Sequence, residues 1–374
     1  MILETRLLQD SCKKILDAVD NNKDNAVTEL LELEVVGRQL ILNVTNNQYF
    51  VSVKIPLDFD TTLHAVINAK LFLRLISKIT TRTVELSTTE KELKVKANGN
   101  YRIPLIYDRE GNLAKLDKIT ISNVTNNFVI PSSTLQSILK YNQKELLKSG
   151  CNTEAQTLFY VDNQGAITFS NGACMNSFTL VQPVIMTLTE KIVKLFKLFK
   201  SDNVDFTLGY DPYLGDDTLT KAQFVDDTVT LTAILPSDSS LINKIPVKAI
   251  RKMAEDAYTY NIIVDKELLL SSIDRLSLFA KKDDVMTYIP VHFGKKGLQL
   301  FDKNKENSED IPYVNECETM PNEGYDTVFN GSDLKLTLES CEDTYITLSF
   351  GNGKAVVLSR NNVKDIIPEV KRII

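Results

Sequence analysis

Asn68-Ala-Lys-Leu-Phe-Leu-Arg-Leu-Ile-Ser-Lys-Ile79, Thr189-Glu-Lys-Ile-Val-Lys-Leu-Phe-Lys-Leu-Phe-Lys200 and Asn330-Gly-Ser-Asp-Leu-Lys-Leu-Thr-Leu-Glu-Ser-Cys341 are three versions of one pattern. Each has the apolar spacing of an amphipathic helix. After a few polar residues each is followed by an alternating strand: Thr83-Val-Glu-Leu-Ser87, Asn203-Val-Asp-Phe-Thr-Leu208 or Thr344-Tyr-Ile-Thr-Leu-Ser349. Outward from these, each third predicts an earlier helix behind a short strand. One runs from Thr5 or Asp10 towards Val19, one from Leu135 through Lys140 after Pro131-Ser132-Ser133, and one over Leu268 to Ala280 after Asp265. Each third also carries two alternating runs joined by a glycine turn, around Gly37-Arg38, Asn163-Gln-Gly165 and Gly294-Lys-Lys-Gly297, the signature of a hairpin. An arrangement that recurs in this way marks structural repeats. The expected class is therefore α+β, with three repeated domains of two helices and strands over residues 1–122, 123–246 and 247–374.

The 374-residue length fits two or three domains. Hydrophobic residues at 43% and charged residues at 25% are ordinary for a globular protein. No apolar run is long enough for a bilayer, and Met1-Ile-Leu-Glu-Thr-Arg6 lacks the layout of a secretory signal. The five cysteines, Cys12, Cys151, Cys174, Cys317 and Cys341, are scattered and odd in number, which predicts reduced thiols and a cytoplasmic location.

The net charge of -6 excludes a uniformly basic nucleic-acid binder, but its distribution is uneven. Between Asn123 and Pro246 there are nine basic residues, all lysines, and seven fall in the two predicted helices: Lys140, Lys144, Lys148, Lys191, Lys194, Lys197 and Lys200. Of the twelve acids there, only Glu145 and Glu190 share those stretches. A plain solvated helix face usually mixes both signs, because opposite charges at i,i+4 support the helix. Lys140, Lys144 and Lys148 at that spacing repel one another, a cost that an anion opposite them offsets. This predicts a polyanion-facing surface, to which the helical cations Lys13, Lys14, Lys70, Arg74 and Arg275 of the other thirds are assigned as well.

Catalytic and metal motifs are missing. His64 and His292 stand in different thirds without partners at ligand spacing. There is no GxSxG, HExxH or Walker loop. Gly351-Asn-Gly-Lys354 lies between predicted strands and reads as a hairpin turn, and Asp20-Asn-Asn-Lys-Asp24 lacks the glycine and distal glutamate of a calcium loop. The adjacent pairs Asp226-Asp227 and Asp283-Asp284 would point to opposite strand faces, poor geometry for a dyad. A non-enzymatic binding or structural role, with no cofactor and no metal, is the expectation.

Three copies of helix, hairpin, helix and strands, with basic helices on an acidic body, resemble the bacterial-type DNA polymerase sliding clamp, the β clamp family. The local likenesses are Ile273-Asp-Arg-Leu-Ser-Leu-Phe-Ala280, the strand-turn Ile167-Thr-Phe-Ser-Asn-Gly172, the link Leu235-Pro-Ser with Ile245-Pro246, and Ile366-Ile-Pro368 near the C-terminus. Ala173-Cys174 replaces the family's His-Arg after that strand-turn, and six residues follow Pro368, which marks a divergent member, bacterial or phage-encoded.

The resemblance implies a head-to-tail homodimeric ring around duplex DNA, with helices lining the hole and the basic residues above touching phosphates without sequence preference. It implies a DNA polymerase and a clamp loader as partners, no membrane, and no catalysis. It maps a partner-peptide pocket onto Ser170, Gly172, Met175, Pro246, Ile250, Ala355, Ile366, Ile367 and Pro368. It maps the dimer interface onto Leu278 and Phe279 against Ile103 and Leu105 of the other subunit. A β-rich oligomeric structural protein of a viral particle is the alternative; it has no need of sign-segregated helices.

Overall fold

The computed structural model describes residues 1–19, 26–148, 151–212, 218–279, 288–351, 353 and 355–370. The stretches Asp20–Asp24 and Asp283–Asp284 weighed above lie outside them, as does part of the Gly351–Lys354 turn. The described chain forms two compact units, one of residues 1–133 and 194–237, the other of residues 134–193 and 238–374.

Unit 1 holds two antiparallel sheets. The smaller runs Ile2–Glu4, Thr83–Thr88, Glu92–Lys96, Asn100–Pro104. The larger has eight strands in the order His64–Asn68, Leu30–Val36, Gln39–Thr45, Tyr49–Pro56, Val229–Ile234, Thr218–Val225, Asn203–Pro212, Asn123–Pro131. The predicted hairpin at Gly37-Arg38 is present, with Val36 opposite Gln39 and Gly37 at φ +57°, the left-handed conformation a two-residue turn requires. At the middle of the large sheet Val51 pairs with Leu231 and Val53 with Val229, so strands far apart in sequence share one ladder. Leu8, Cys12 and Ile15 of helix Thr5–Ala18 and Phe72, Leu73 and Ile76 of helix Ala69–Ser77 are buried. Gln9 Nε2 donates to the Ile76 and Ile79 carbonyls at 2.9 Å each, tying the first helix to the end of the second. The first helix starts at Thr5 itself, behind Glu4 and without a side-chain cap, so neither Thr5 nor Asp10 is its cap. A chain of rings, Phe128, Phe206, Phe224 and Phe196, spaced 5.1–5.2 Å, fills the other half of the unit.

Unit 2 has the same composition. Its eight-stranded sheet runs Ile185–Thr189, Leu158–Asp162, Gly165–Phe169, Ala173–Ser177, Val363–Pro368, Ala355–Arg360, Tyr345–Phe350, Tyr260–Asp265, and its four-stranded sheet runs Ser308–Pro312, Gly297–Phe301, Tyr288–Phe293, Tyr325–Asn330. Again the centre joins distant segments, with Ala173 opposite Ile366 and Asn176 opposite Val363. Helices Lys266–Ser277 and Gly331–Glu339 start at Asp265 and Asn330, whose side chains accept from the amides of Leu268 and of Ser332 and Asp333.

Several helices depart from expectation. The predicted helix Thr189–Lys200 is an α-helix only over Glu190–Lys194 and a 3-10 turn over Leu195–Leu198, and the short helix Ser239–Ile242 was not expected. The stretch read as one helix from Leu135 to Lys148 is an α-helix over Ser132–Ser137, a wider π turn over Ile138–Asn142 and a tight 3-10 turn over Gln143–Leu147. The buried Asn142 side chain accounts for the break: its amide is within 3.3 Å of the Ala166 carbonyl, Thr168 Oγ1 and the Cys174 carbonyl. Anchoring to strands in this way competes with regular helix geometry. Helix Val247–Glu255 was not expected at all. Its signal was present in Val247, Ile250 and Ala254, apolar at helical spacing directly after Pro246.

Candidate nucleic-acid interface and partner groove

The predicted phosphate-contacting cations fall into three groups. Lys13, Arg74 and Lys200, all in unit 1, are exposed and make no ion pair among the described residues. A second group is accessible but engaged. In unit 1, Lys14 Nζ donates to Thr228 Oγ1 at 2.8 Å, Lys70 faces Glu29 at 3.7 Å and Lys197 faces Asp17 at 2.8 Å. In unit 2, Lys140 pairs with Glu342, and Arg275 Nε donates to Glu309 at 2.7 Å. Lys191 and Lys194 are exposed and have partners as well. Exposed pairs are worth only about 0.2–1 kcal/mol, so a phosphate can replace any of these acids.

Lys144 and Lys148 form the third group and correct the sequence reading. Their side chains are 6% and 3% exposed. Lys144 Nζ lies 3.1 Å from Asp365 Oδ2, and Lys148 Nζ 2.7 Å from Glu145 Oε2. The broken helix turns both lysines inward, where they neutralise buried carboxylates and cannot reach a phosphate. Arg360 Nη1 shares the same Asp365 oxygen at 2.6 Å. Burial pushes the Asp365 carboxyl up, but Lys144, Arg360 and Lys148 outweigh it and hold it below the usual carboxylate range. Burial likewise pushes the Lys148 ammonium down, and Glu145 and Asp365 more than reverse that.

Exchanging Lys13, Arg74 and Lys200 together for alanine is expected to flatten the salt dependence of DNA binding without unfolding the chain. Each lost phosphate contact lowers the slope of log K against log salt by about 0.9, so the triple variant should lose up to about 3. A salt titration that overlays the parent's would remove these three from the contact surface.

Most of the predicted partner pocket is drawn together in unit 2. Met175, Ile250, Ala355 and Ile366 belong to one apolar cluster, with helix Val247–Glu255 seated over the sheet. The pairings Ala173 to Ile366 to Val357, and Phe169 to Ala173, set its floor. These side chains are packed closed, Met175 being 7% exposed. The accessible rim is made of the half-buried Phe169, Val247, Met253 and Tyr258 around this cluster, together with Ser170, Gly172 and Pro368 and the exposed Pro246. The rim residues Phe169, Val247, Met253 and Tyr258 were missed because nothing in their local pattern sets them apart from ordinary core. Ile367 is a correction. Alternation along strand Val363–Pro368 sends it to the opposite face, into the core with Leu269, Val291 and Phe329.

At the predicted subunit contact, Leu278 is 81% and Phe279 58% exposed, just past the end of helix Lys266–Ser277. Ile103 corrects the reading: it is 2% exposed and opposite Leu93, so it serves its own core. Leu105 is half-buried, and strand Asn100–Pro104 exposes Tyr101 and Pro104.

Neither histidine sits in a reactive constellation. His292 Nδ1 faces Asp326 at 2.9 Å on the surface. His64 Nε2 faces Glu32 at 3.2 Å, and Glu32 continues through Asn43 Nδ2 to Ser52. In that row the Ser52 hydroxyl donates to an amide oxygen, which is no general base.

Sheets of four and eight strands with helices packed on them, in each unit, have counterparts among known proteins. Residues 1–107 match the family described as DNA polymerase III beta subunit, N-terminal domain. Over the whole chain the fold is similar to a putative DNA polymerase III beta subunit from Eubacterium rectale (TM-score 0.78, 14% identity, 99% of each chain covered). It is equally similar to DNA polymerase III subunit beta from Borrelia burgdorferi (TM-score 0.79, 15% identity, 99% of this chain and 98% of that one). The DNA polymerase sliding clamp from Bacillus subtilis matches at TM-score 0.76 and 15% identity, with 99% of this chain and 98% of that one covered. At these identities the likeness is one of fold. No curated protein sequence matches the chain.

Proposed function

We propose that this chain is a DNA sliding clamp, a processivity factor that encircles duplex DNA and tethers a polymerase. The observation that carries the reading is the end-to-end likeness to structures of a DNA polymerase III beta subunit and of a DNA polymerase sliding clamp, each over 99% of this chain. Exposed cations on helices of an otherwise acidic protein add to it. Nothing found favours a structural protein of a virus particle.

The active form is a head-to-tail homodimer of three-domain chains, with divisions near residues 122 and 246 and with Leu278 and Phe279 meeting the edge around Tyr101 and Leu105 of the other copy. Rotational closure of a head-to-tail contact yields a ring, not a filament. Helices face the DNA, and phosphate contacts carry no sequence information, so the ring slides. Holding the polymerase on the ring raises its effective concentration at the primer end without any catalytic group of the clamp's own. The groove beside helix Val247–Glu255 receives a short peptide of the polymerase and of a clamp loader, in the cytoplasm. No helix among the described residues is long and apolar enough to cross a membrane.

Topology supplies the test. Once loaded on a nicked circular plasmid, the protein is expected to stay associated in high salt, and to be released when the plasmid is cut once. Equal retention on circular and linear DNA would count against encirclement.

A further inference from the structure

We propose that Glu145 is a positioning residue for the partner groove, acting through Ser170 from behind the sheet; this rests on the reading of that groove as the peptide site. The 3-10 turn Gln143–Leu147 lies against the face of the sheet opposite the groove, where Asn142 is tied to Thr168 and the backbone of Ala166 and Cys174. From this turn two adjacent side chains reach the two walls of the groove. Glu145 Oε1 accepts a 2.7 Å hydrogen bond from the Ser170 hydroxyl, in the turn that joins strands Gly165–Phe169 and Ala173–Ser177. Lys144 Nζ holds Asp365, the residue before Ile366 on strand Val363–Pro368. Since neighbours in a strand face opposite ways, fixing Asp365 on the helix side fixes Ile366 on the groove side.

The turn itself has no slack. A Cβ on Gly172 would collide with the Ile366 carbonyl oxygen, and would come within 3.3 Å of Pro368 Cδ and 3.5 Å of Glu145 Oε1. The strand-turn is thus wedged between the opposite wall and the Glu145 carboxylate. Lys148 completes the device by pairing with Glu145 Oε2. A buried ion pair adds little net stability compared with apolar residues of the same size, so its value here lies in geometry. It holds the one carboxylate that fastens the turn, and it keeps Phe169 and Ser170 at the rim before any peptide arrives. Preorganisation of this kind lowers the cost of binding.

Because removing one member of a buried pair strongly destabilises a protein, the test removes both. The full chain is titrated against a fluorescein-labelled synthetic peptide ending in an aliphatic and an aromatic residue, chosen to match the apolar rim of Phe169, Val247, Met253 and Tyr258, and read by anisotropy. Glu145→Met with Lys148→Met deletes the charges and the acceptor at similar volume, and is expected to weaken the peptide about tenfold. Glu145→Gln with Lys148→Met retains an acceptor for Ser170 and is expected to bind like the parent. Ser170→Ala should cost about tenfold alone and nothing further on the Met-Met background, since the two act as one unit. Parent-like binding by the Met-Met variant overturns the inference; so does a multiplied loss near a hundredfold, or failure of the Gln variant to rescue. Val247→Glu, at a helix start that tolerates a carboxylate, places a charge on the groove rim. If it binds the peptide as the parent does, the groove reading falls and the positioning role with it. If it loses the peptide while the Met-Met variant keeps it, only the positioning role falls.

Discussion

Phe279→Asp should convert the proposed ring into folded monomers. Phe279 and Leu278 are large apolar side chains held out beyond helix Lys266–Ser277, and their exposure in the single chain means that the substitution takes no core packing away. In the dimer the new carboxylate would be desolvated against the apolar edge of the other copy without a partner, at a cost of several kcal/mol. Every 1.4 kcal/mol is about tenfold in a dissociation constant, so the loss is on the order of a thousandfold. Sedimentation at micromolar concentration should give the protomer mass with an unchanged circular dichroism spectrum. A dimer mass would remove this corner from the interface and leave the closure of the ring to the strand edges alone.

The second large effect concerns the buried charges of unit 2. Asp365→Ala strands Lys144 and Arg360, which share Asp365 Oδ2, in a site where neither meets water. Leaving a buried cation unpaired costs about 3–5 kcal/mol, a large part of the stability of any domain. The loss should appear in the urea transition of unit 2, with unit 1 retaining its own. The pH dependence has a definite direction. The folded Asp365 carboxyl lies below its unfolded value, so its stabilisation is complete above the unfolded carboxylate pKa of about 3.9 and fades as pH falls through the folded value. The parent should therefore lose stability below about pH 4 more steeply than Asp365→Asn does. A difference between parent and Asp365→Ala of under about 1 kcal/mol would mean that water reaches the cations after all.

Local rules carried much of the fold. Asp265 and Asn330 announce helix starts because a cap is made within three residues of itself, and Gly37 announces a hairpin because only a few residues tolerate its φ. The same locality explains what was missed. Lys144 and Lys148 look like an exposed ridge until Asn142 breaks the helix and Asp365, far along the chain, arrives to pair with Lys144. Ile103 and Ile367 are apolar residues in strands, and which face each presents depends on sheet partners that no local pattern names. The positions assigned to the groove came from a resemblance to a family and from no local pattern. Its half-buried rim and the helix over it depend on how the segment after Pro246 settles on the sheet.

The long-range pairing at the centre of each large sheet has a consequence for how the protein is made. Unit 1 can close once the segment through Ile234 has left the ribosome, because Val229–Ile234 supplies the partner that strand Tyr49–Pro56 awaits. Unit 2 must wait much longer. Strand Val363–Pro368 fits between Ala173–Ser177 and Ala355–Arg360, so until it emerges two interior strands keep bare edges that invite pairing with neighbouring chains. A stop before Val363 removes the strand Val363–Pro368 and leaves the middle of the sheet open, so such a product should aggregate instead of folding.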